Sequence, residues 1–335
     1  MENKKPLVSI ILPCYNVERF LPEALDSIIN QTYRHLEILC INDGSTDKTP
    51  EILENYAKKD NRIRVIHNET NLKLIRTLNK GIDLAKGEYI ARMDADDVSL
   101  PERIEKQVAY MQQNNVDIVS AFADFVSETG KITKGMRTVY TKYPYTYFYT
   151  FFINPFIHPT VLAKSAVLKE NKYFTEPHAL HNEDYELWTR ILRKGYKIEI
   201  LPDVLLLYRF NSGSVSSQNV QLQLDNFTRN LQRHINISLQ MGITENISSL
   251  ITYNHSRAFK RTSLKKVKQI ISQINADFSK QYNAETLKLK DIAKRHEARL
   301  RIFLLRRHHS ISTRLLLTSK VFLQLLYHVH ARKKF

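Results

Sequence analysis

The alternation of short Val- and Ile-rich runs with helix-period segments over the first third of the chain constrains its fold more than any other feature. Leu7–Leu12, Leu36–Ile41, Ile63–His67, Glu88–Met93 and Asp117–Ala121 have strand length and read as buried strands. Between them Glu18–Asn30, Thr49–Lys59, Leu74–Ala85 and Pro101–Asn114 carry the helical period, the last opening with Ser99 as cap and Pro101 in the first turn. Strand alternating with helix predicts an α/β fold with a mostly parallel sheet. In such sheets ligands bind beyond the carboxyl ends of the strands, so the residues that follow each strand are the candidate site. They are polar here: Pro13-Cys14-Tyr15-Asn16, then Asn42-Asp43-Gly44-Ser45-Thr46-Asp47, Asn68 to Asn71, and Asp94-Ala95-Asp96-Asp97.

The chemistry of those loops narrows the ligand. No Gly-x-Gly-x-x-Gly occurs, and the Gly81 to Gly87 stretch leads into Glu88 rather than Lys, which disfavours dinucleotide and Walker-type phosphate sites. Three carboxylates crowded after one strand repel one another unless a cation sits among them. Hard oxygen donors of this kind suit Mg²⁺ or Mn²⁺ carrying phosphate oxygens, hence a metal-bridged diphosphate. The other reading is an Asp-rich turn and helix cap before Pro101.

Composition and charge bound the rest. A chain of 335 residues with 43% hydrophobic and 10% aromatic residues is globular, of about two domains by the usual domain size. Cys14 and Cys40 are the only cysteines, so neither a disulfide framework nor a four-thiolate zinc site is available, and a reducing cytosol is expected. The first residues lack the apolar stretch of a secretory signal, and no run is long and clean enough for a membrane span. The net charge of +16 is unevenly placed: from Asn219 onward there are 22 basic and 6 acidic residues, and before it 28 of each. A basic region of this kind favours an anionic surface: a phospholipid leaflet, a nucleic acid or a phosphorylated glycan carrier. Leu222–Leu239, Leu264–Ile274 and Asp291–Leu305 read as helices, and Arg314–Val329 either lies in a membrane interface or docks as an ordinary amphipathic helix.

Seven segments, in order, namely Val8–Asn16, Ser27–Tyr33, Ile41–Asp47, Ala91–Asp97 with Leu100–Arg103, His158–Thr160, Asn182–Trp188, and Tyr208-Arg209 with Ser214, resemble glycosyltransferase family 2, whose members have the GT-A fold. Val8-Ser9-Ile10-Ile11-Leu12-Pro13-Cys14-Tyr15-Asn16, Ser27 to Tyr33 and Ile41 to Asp47 are similar to the family's nucleotide-binding half, here about residues 6–122. Ala91-Arg92-Met93-Asp94-Ala95-Asp96-Asp97 with Leu100-Pro101-Glu102-Arg103 is similar to its metal motif. His158-Pro159-Thr160, Asn182-Glu183-Asp184-Tyr185-Glu186-Leu187-Trp188, and Tyr208-Arg209 with Ser214 resemble its acceptor half, about residues 123–218, leaving 219–335 as a basic, mainly helical C-terminal region. The sequence departs from the family at Lys73, where Gly is frequent, and at Leu78, where Arg is frequent.

Carried over residue by residue, the resemblance implies that Pro13 and Asp43 hold a uridine base, with Asn42, Tyr15 and Asn71 nearby. A uracil imide N–H needs an acceptor, and a carboxylate fixed at a strand end offers a charge-assisted bond. An Asx-turn is the structural alternative for Asp43. Asp94 and Asp96 would be the acid pair, Asp96 on the metal and Asp94 nearer the ribose, with Asp97 a helix cap. Asp184 would be the catalytic base, with Glu183 positioning the acceptor or the base; otherwise the two are the acidic first turn of a helix. Arg209 and Ser214 would bind the diphosphate from a flexible loop, Arg209 being otherwise a surface salt bridge. His158 either touches sugar or is a core histidine, and the aromatic stretch Tyr143–Phe156 either walls the acceptor site or is core.

The expectation that follows is an inverting hexosyltransferase using a UDP-sugar and Mg²⁺ or Mn²⁺. It would act on a glycan or lipid-linked glycan at the inner face of a bacterial cell membrane, held there peripherally by the basic region. The rival expectation is a non-catalytic protein whose basic region grips nucleic acid or an assembly partner.

Overall fold

The structure is a computed structural model that describes residues 5–135, 137–210, 220–252 and 261–307. Its elements begin with β1 (Val8–Cys14), α1 (Leu21–Ile29), β2 (Leu36–Asn42), α2 (Thr49–Ala57), β3 (Ile63–His67) and α3 (Lys73–Leu84). There follow β4 (Tyr89–Arg92), β5 (Val98–Ser99), α4 (Arg103–Asn114), β6 (Ile118–Ser127) and β7 (Ile132–Thr133). Then come α5 (Tyr145–Tyr149), β8 (Leu162–Lys164), α6 (Ser165–Asn171), α7 (Glu183–Arg193) and β9 (Ile198–Phe210). The C-terminal helices are α8 (Val220–Leu239), α9 (Glu245–Ile251), α10 (Arg261–Tyr282) and α11 (Thr286–Arg307).

The strands form one sheet of order β3-β2-β1-β4-β8-β6-β9-β5, with β7 hairpinned onto β6. β1 pairs in parallel with β2 on one side and β4 on the other, so chain order reverses across β1. That reversal is the switch point beside which open α/β sheets leave a crevice. β8 and β5 add antiparallel pairs to β4, β6 and β9, and β9 runs parallel to β6 past an irregularity at Ala121–Ala123. The register Cys14↔Asn42 and Asn42↔His67 brings the loops after β1, β2 and β3 to one edge.

Hydrophobic burial holds this sheet between helices. Leu21, Leu25 and Ile28 of α1 and Ile104, Val108 and Met111 of α4 join Ile10, Leu12 and Ile38 in one cluster, each such side chain contributing about 1.5–3 kcal/mol. On the other face α3 buries Ile75, Leu78 and Ile82. It comes so close that a Cβ on Gly81 would lie 2.6 Å from the Ile11 side chain. Leu78, the departure noted above, is thus a core position of α3.

Two local expectations are corrected. Helix α4 begins at Arg103 with Glu102 as its cap residue, not at Pro101. Ser99 does not cap it: it lies in β5, where its N–H donates to Ser27 Oγ (3.0 Å) and its Oγ accepts from Gln31 Nε2 (3.1 Å).

Contacts divide the chain into two compact units that interleave in sequence. One comprises Met1–Gly135, Phe156–Thr175 and Gly195–Asn211, and contains the sheet. The other comprises Met136–Pro155, Glu176–Lys194 and the chain from Ser212 onward, so α5 and α7 share a unit with the C-terminal helices. In this second unit the aromatic stretch after Tyr143 is core. Phe148 packs on Phe278 of α10 (ring centroids 5.1 Å apart) and Phe151 stacks on His234 of α8 (4.5 Å). The helices read in the C-terminal region form, α10 extending to Tyr282, whereas Arg314–Val329 lies outside the described residues. Among the described residues no helix is long and apolar enough to cross a membrane.

Candidate functional site

The loops after β1 and β2 are tied together through their backbones. The Asp43 N–H donates to the Cys14 carbonyl at 2.8 Å, which sets Asp43 beside the end of β1 and Pro13. Asp43 is buried, and its Oδ1 accepts from Asn68 Nδ2 (2.7 Å) and from the Leu72 N–H (2.8 Å). Both bonds fall on Oδ1, so among the described residues Oδ2 is left to accept from a ligand. The local turn bond that Asp43 might have made belongs to Asn42, whose Oδ1 accepts the Ser45 N–H (3.1 Å) while its Nδ2 meets His67 Nδ1 (3.0 Å). The Asx-turn alternative for Asp43 therefore does not hold, and Asn42 is occupied with shaping the loop.

Around them, Asn16 takes a left-handed φ of 47° and accepts the Thr46 N–H (2.9 Å), fastening the first loop to the second. Tyr15 beside it is half exposed. Asn71 Oδ1 accepts the Lys73 N–H (2.9 Å), and Lys73 has a φ of 70°. That conformation explains why Gly suits position 73, since a Cβ there costs roughly 1–2 kcal/mol. Gly44 shares a φ of +70° and lies so near the backbone of Thr70 and Asn71 that a Cβ would meet both at 3.0 Å.

The loop after β4 gathers the acids. Ligand oxygens of Asp94, Asp96 and Asp97 lie within 4.8 Å of one another. Arg92, buried in β4, forks onto Asp94 through Nη1 (2.8 Å) and Nη2 (2.5 Å). Burial lowers the Arg92 pKa, but Asp94, Tyr173 and Asp97 together outweigh it and the value is raised. Behind the loop Arg103, fully buried, donates to the Arg92 carbonyl (2.7 Å); burial pulls its pKa down to about 9, against the pull of Asp97. Asp97 is 1% exposed, and its Oδ1 accepts the Arg209 N–H at 2.7 Å while its Oδ2 has no hydrogen-bond partner. Burial first, then the Asp94 and Asp96 carboxylates, push the Asp97 pKa well above the carboxylate range.

Asp97 is thus no helix cap, contrary to expectation; it belongs to the acidic cluster. A buried carboxylate oxygen without a partner, beside two more carboxylates, is costly unless a cation completes it. Hard oxygen donors at this spacing fit Mg²⁺ or Mn²⁺.

Arg209 differs most from expectation. It lies in β9, not in a flexible loop, and is 5% exposed, so it is no surface salt bridge either. Ser214, expected beside it, lies outside the described residues. His158 is a core histidine: its Nε2 bonds the Tyr173 hydroxyl at 2.7 Å, and burial, then Arg92, hold its pKa well below 6.5. Cys14 and Cys40 are buried free thiols whose pKa values burial raises, Cys40 to about 12, so neither serves as a nucleophile.

In the second unit Glu183 and Asp184 open α7, whose first turn is acidic. Asp184 Oδ1 accepts the Tyr185 N–H (2.7 Å) and its Oδ2 accepts from Asn154 Nδ2 (2.7 Å). Both acids are half-buried, whereas Tyr185, Leu187 and Trp188 behind them are buried. Helix start and oriented carboxylate coexist here, so the two readings of this pair are not exclusive. Arg92, Glu23 and Asn154, which hold the acids or their loop, were not singled out from sequence. The one signal for them is Arg92, a charged residue inside an apolar strand run.

A sheet with its switch point at β1, a buried carboxylate at that edge and an acidic cluster after β4 together describe a fold of GT-A type. The chain belongs to glycosyl transferase family 2, whose profile matches residues 9–171. It is 35% identical over 278 residues to an uncharacterized glycosyltransferase of Haemophilus influenzae, covering 78% of this chain and 84% of the relative. It is 34% identical to the O-antigen biosynthesis glycosyltransferase WbnJ of Escherichia coli, covering 62% of this chain and 81% of that one. Among solved structures its fold is like that of S. aureus TarS 1-349 in complex with UDP-GlcNAc, with a TM-score of 0.59 and 18% identity over 88% of this chain and 90% of the other.

Proposed function

We propose that this family 2 enzyme is an inverting hexosyltransferase that moves a sugar from a UDP donor to a hydroxyl of a glycan or lipid-linked glycan, with Mg²⁺ or Mn²⁺. The observation that carries the reading is one unit holding both Asp43, a buried carboxylate with one oxygen unengaged at the β1–β2 edge, and an acidic cluster with an unsatisfied buried oxygen on Asp97. The TarS complex with UDP-GlcNAc supports a UDP-sugar donor, and the O-antigen role in WbnJ's name supports a glycan acceptor.

In this mechanism Asp43 Oδ2 accepts the uracil imide N–H, with Pro13, Tyr15, Asn42 and Asn71 forming the walls of the base site. Asp94, oriented by Arg92, faces the ribose, and Asp96 would hold the metal together with Asp94 and Asp97. When bound, the ion neutralises the diphosphate and so eases departure of UDP. Ser214 hydrogen-bonds the diphosphate. Asp184, kept in place by Asn154 and the Tyr185 N–H, takes the proton from the attacking hydroxyl, and Glu183 orients the acceptor. The basic C-terminal region, with 22 basic against 6 acidic residues from Asn219 onward, holds the enzyme peripherally on an anionic membrane surface, on the inner face of the cell membrane.

The test is a panel of UDP-sugars assayed for binding and turnover with wild type, Asp96→Asn and Asp184→Asn. Asp96→Asn is expected to lose metal-dependent donor binding. Asp184→Asn should keep it while turnover falls about 10²–10⁴-fold. Unimpaired turnover in Asp184→Asn would remove that residue as the base, and no uridine nucleotide binding in wild type would remove the donor assignment.

A further inference from the structure

We infer that Arg209 is a positioning residue that clamps the acidic loop, setting the Asp96–Asp97 backbone so that both carboxylates serve one cation. Four side-chain contacts and one main-chain bond of Arg209 converge on this reading. Its Nε donates to the Asp96 carbonyl at 2.7 Å, and its own N–H donates to Asp97 Oδ1 at 2.7 Å. Its Nη1 reaches the Ser127 carbonyl at the end of β6 (3.3 Å), and its Nη2 pairs with Glu23 of α1 at 2.5 Å. The guanidinium also lies over the Phe20 ring, 4.6 Å from its centroid. One planar fork therefore fastens the acidic loop to β9, β6 and the start of α1.

The arrangement has a chemical logic. Like-charged Asp94, Asp96 and Asp97 push the loop apart, so fixed contacts such as the Arg92 fork on Asp94 and the Arg209 bonds are needed to hold their oxygens within 4.8 Å when no cation bridges them. A guanidinium suits this task, because its rigid N–H fork satisfies acceptors in several directions while its positive charge opposes the acids' repulsion. A lysine ammonium retains the charge but not the fork. Burial of the clamp, with Arg209 side-chain exposure at 4%, keeps it from competing with water. Preorganising the donors in this way raises metal affinity without any direct contact between Arg209 and the ion.

The inference rests on the acidic cluster being the metal site, and the experiment separates the two. Free Mn²⁺ is measured by electron paramagnetic resonance over the full-length chain without nucleotide, for wild type, Arg209→Met, Arg209→Lys and Glu23→Gln, with circular dichroism melts and UDP titrations alongside. Arg209→Met is expected to weaken Mn²⁺ binding about tenfold or more, the scale of a lost charge-assisted bond. Arg209→Lys should fail to restore it. Glu23→Gln, at an exposed partner, should weaken it only about twofold. If Arg209→Met does not fold, Arg209→Lys decides. Wild-type Mn²⁺ affinity in Arg209→Lys, with UDP affinity lost instead, would overturn the clamp in favour of direct diphosphate contact. Wild-type affinity for both Mn²⁺ and UDP in Arg209→Lys would overturn it as well. Absence of Mn²⁺ binding in wild type would overturn the metal reading and the clamp with it.

Discussion

Asp43 and Asp97 are both buried carboxylates at strand ends, and their neighbours assign them different tasks. Asp43 has one oxygen saturated by Asn68 and the Leu72 N–H, which fixes the carboxylate plane and leaves the other oxygen for the proposed uracil contact. Asp97 has one oxygen held by the Arg209 N–H and the other unsatisfied among like charges. Replacing Asp43 by Asn keeps an oxygen for the two internal donors but removes the charge from the proposed uracil contact. UDP affinity is expected to drop about 10–100-fold in Asp43→Asn, with little change in melting temperature. Calorimetric titration with UDP checks this, and an unchanged affinity would remove Asp43 from the base site. Residue types at strand ends were legible in the sequence, because a carboxylate after a buried strand has few structural excuses. The task of Asp97 was not, since it depends on Arg209, 112 residues away in the chain.

At the scale of elements, helical and strand periods located β1 to β4, β6, α1 to α4 and the helices α8, α10 and α11, with errors at their ends, but the elements between β6 and α8, apart from α7, were not read. α4 starts late because Leu100–Glu102 form a turn that Gln31 fastens through the Leu100 carbonyl (2.9 Å). β5, two residues long, has no pattern to read and exists only through pairing with β9. Packing of α8 against α5 and α7 buries His234, whose Nε2 meets Thr150 Oγ1 (2.9 Å) and whose Nδ1 meets Arg193 Nη1 (3.1 Å). Burial, then Arg193, lower its pKa well below 6.5. The unfolded chain therefore binds a proton near pH 6.5 that the folded chain refuses. Stability from this site is complete above that pH and declines as pH falls below it, by up to about 1.4 kcal/mol per pH unit. Melting curves between about pH 7.5 and about pH 5.5 should show a shallower decline for His234→Gln than for wild type. An identical slope would mean that the imidazole is protonated in the folded state.

For the whole molecule, the uneven charge and the interleaved units bear on each other. Because Tyr147, Phe148 and Phe151 share a core with Phe278, removing the basic region would strip α5 and α7 of their packing. The proposed membrane contact is better tested on the full chain, by reversing the exposed Lys265, Lys266, Lys290 and Lys294 to Glu. With roughly 1 kcal/mol per lysine near an anionic leaflet, sedimentation with phosphatidylserine vesicles should weaken about 100-fold or more. Equal sedimentation of wild type and variant would separate this charge from membrane binding.

Local sequence was enough for the parallel α/β sheet, for the polar loops at its carboxyl edge and for the acids within them. These follow from period, from apolar burial and from the cost of crowding like charges, all of which act between near neighbours in the chain. Tertiary structure alone decided that Arg209 turns inward to the acidic loop, that Asp97 joins Asp94 and Asp96, and that His158 and the Tyr143–Phe156 stretch are core. Each of these depends on contacts between segments that only the folded chain brings together, and no local period or propensity encodes which distant partner a buried polar group will meet.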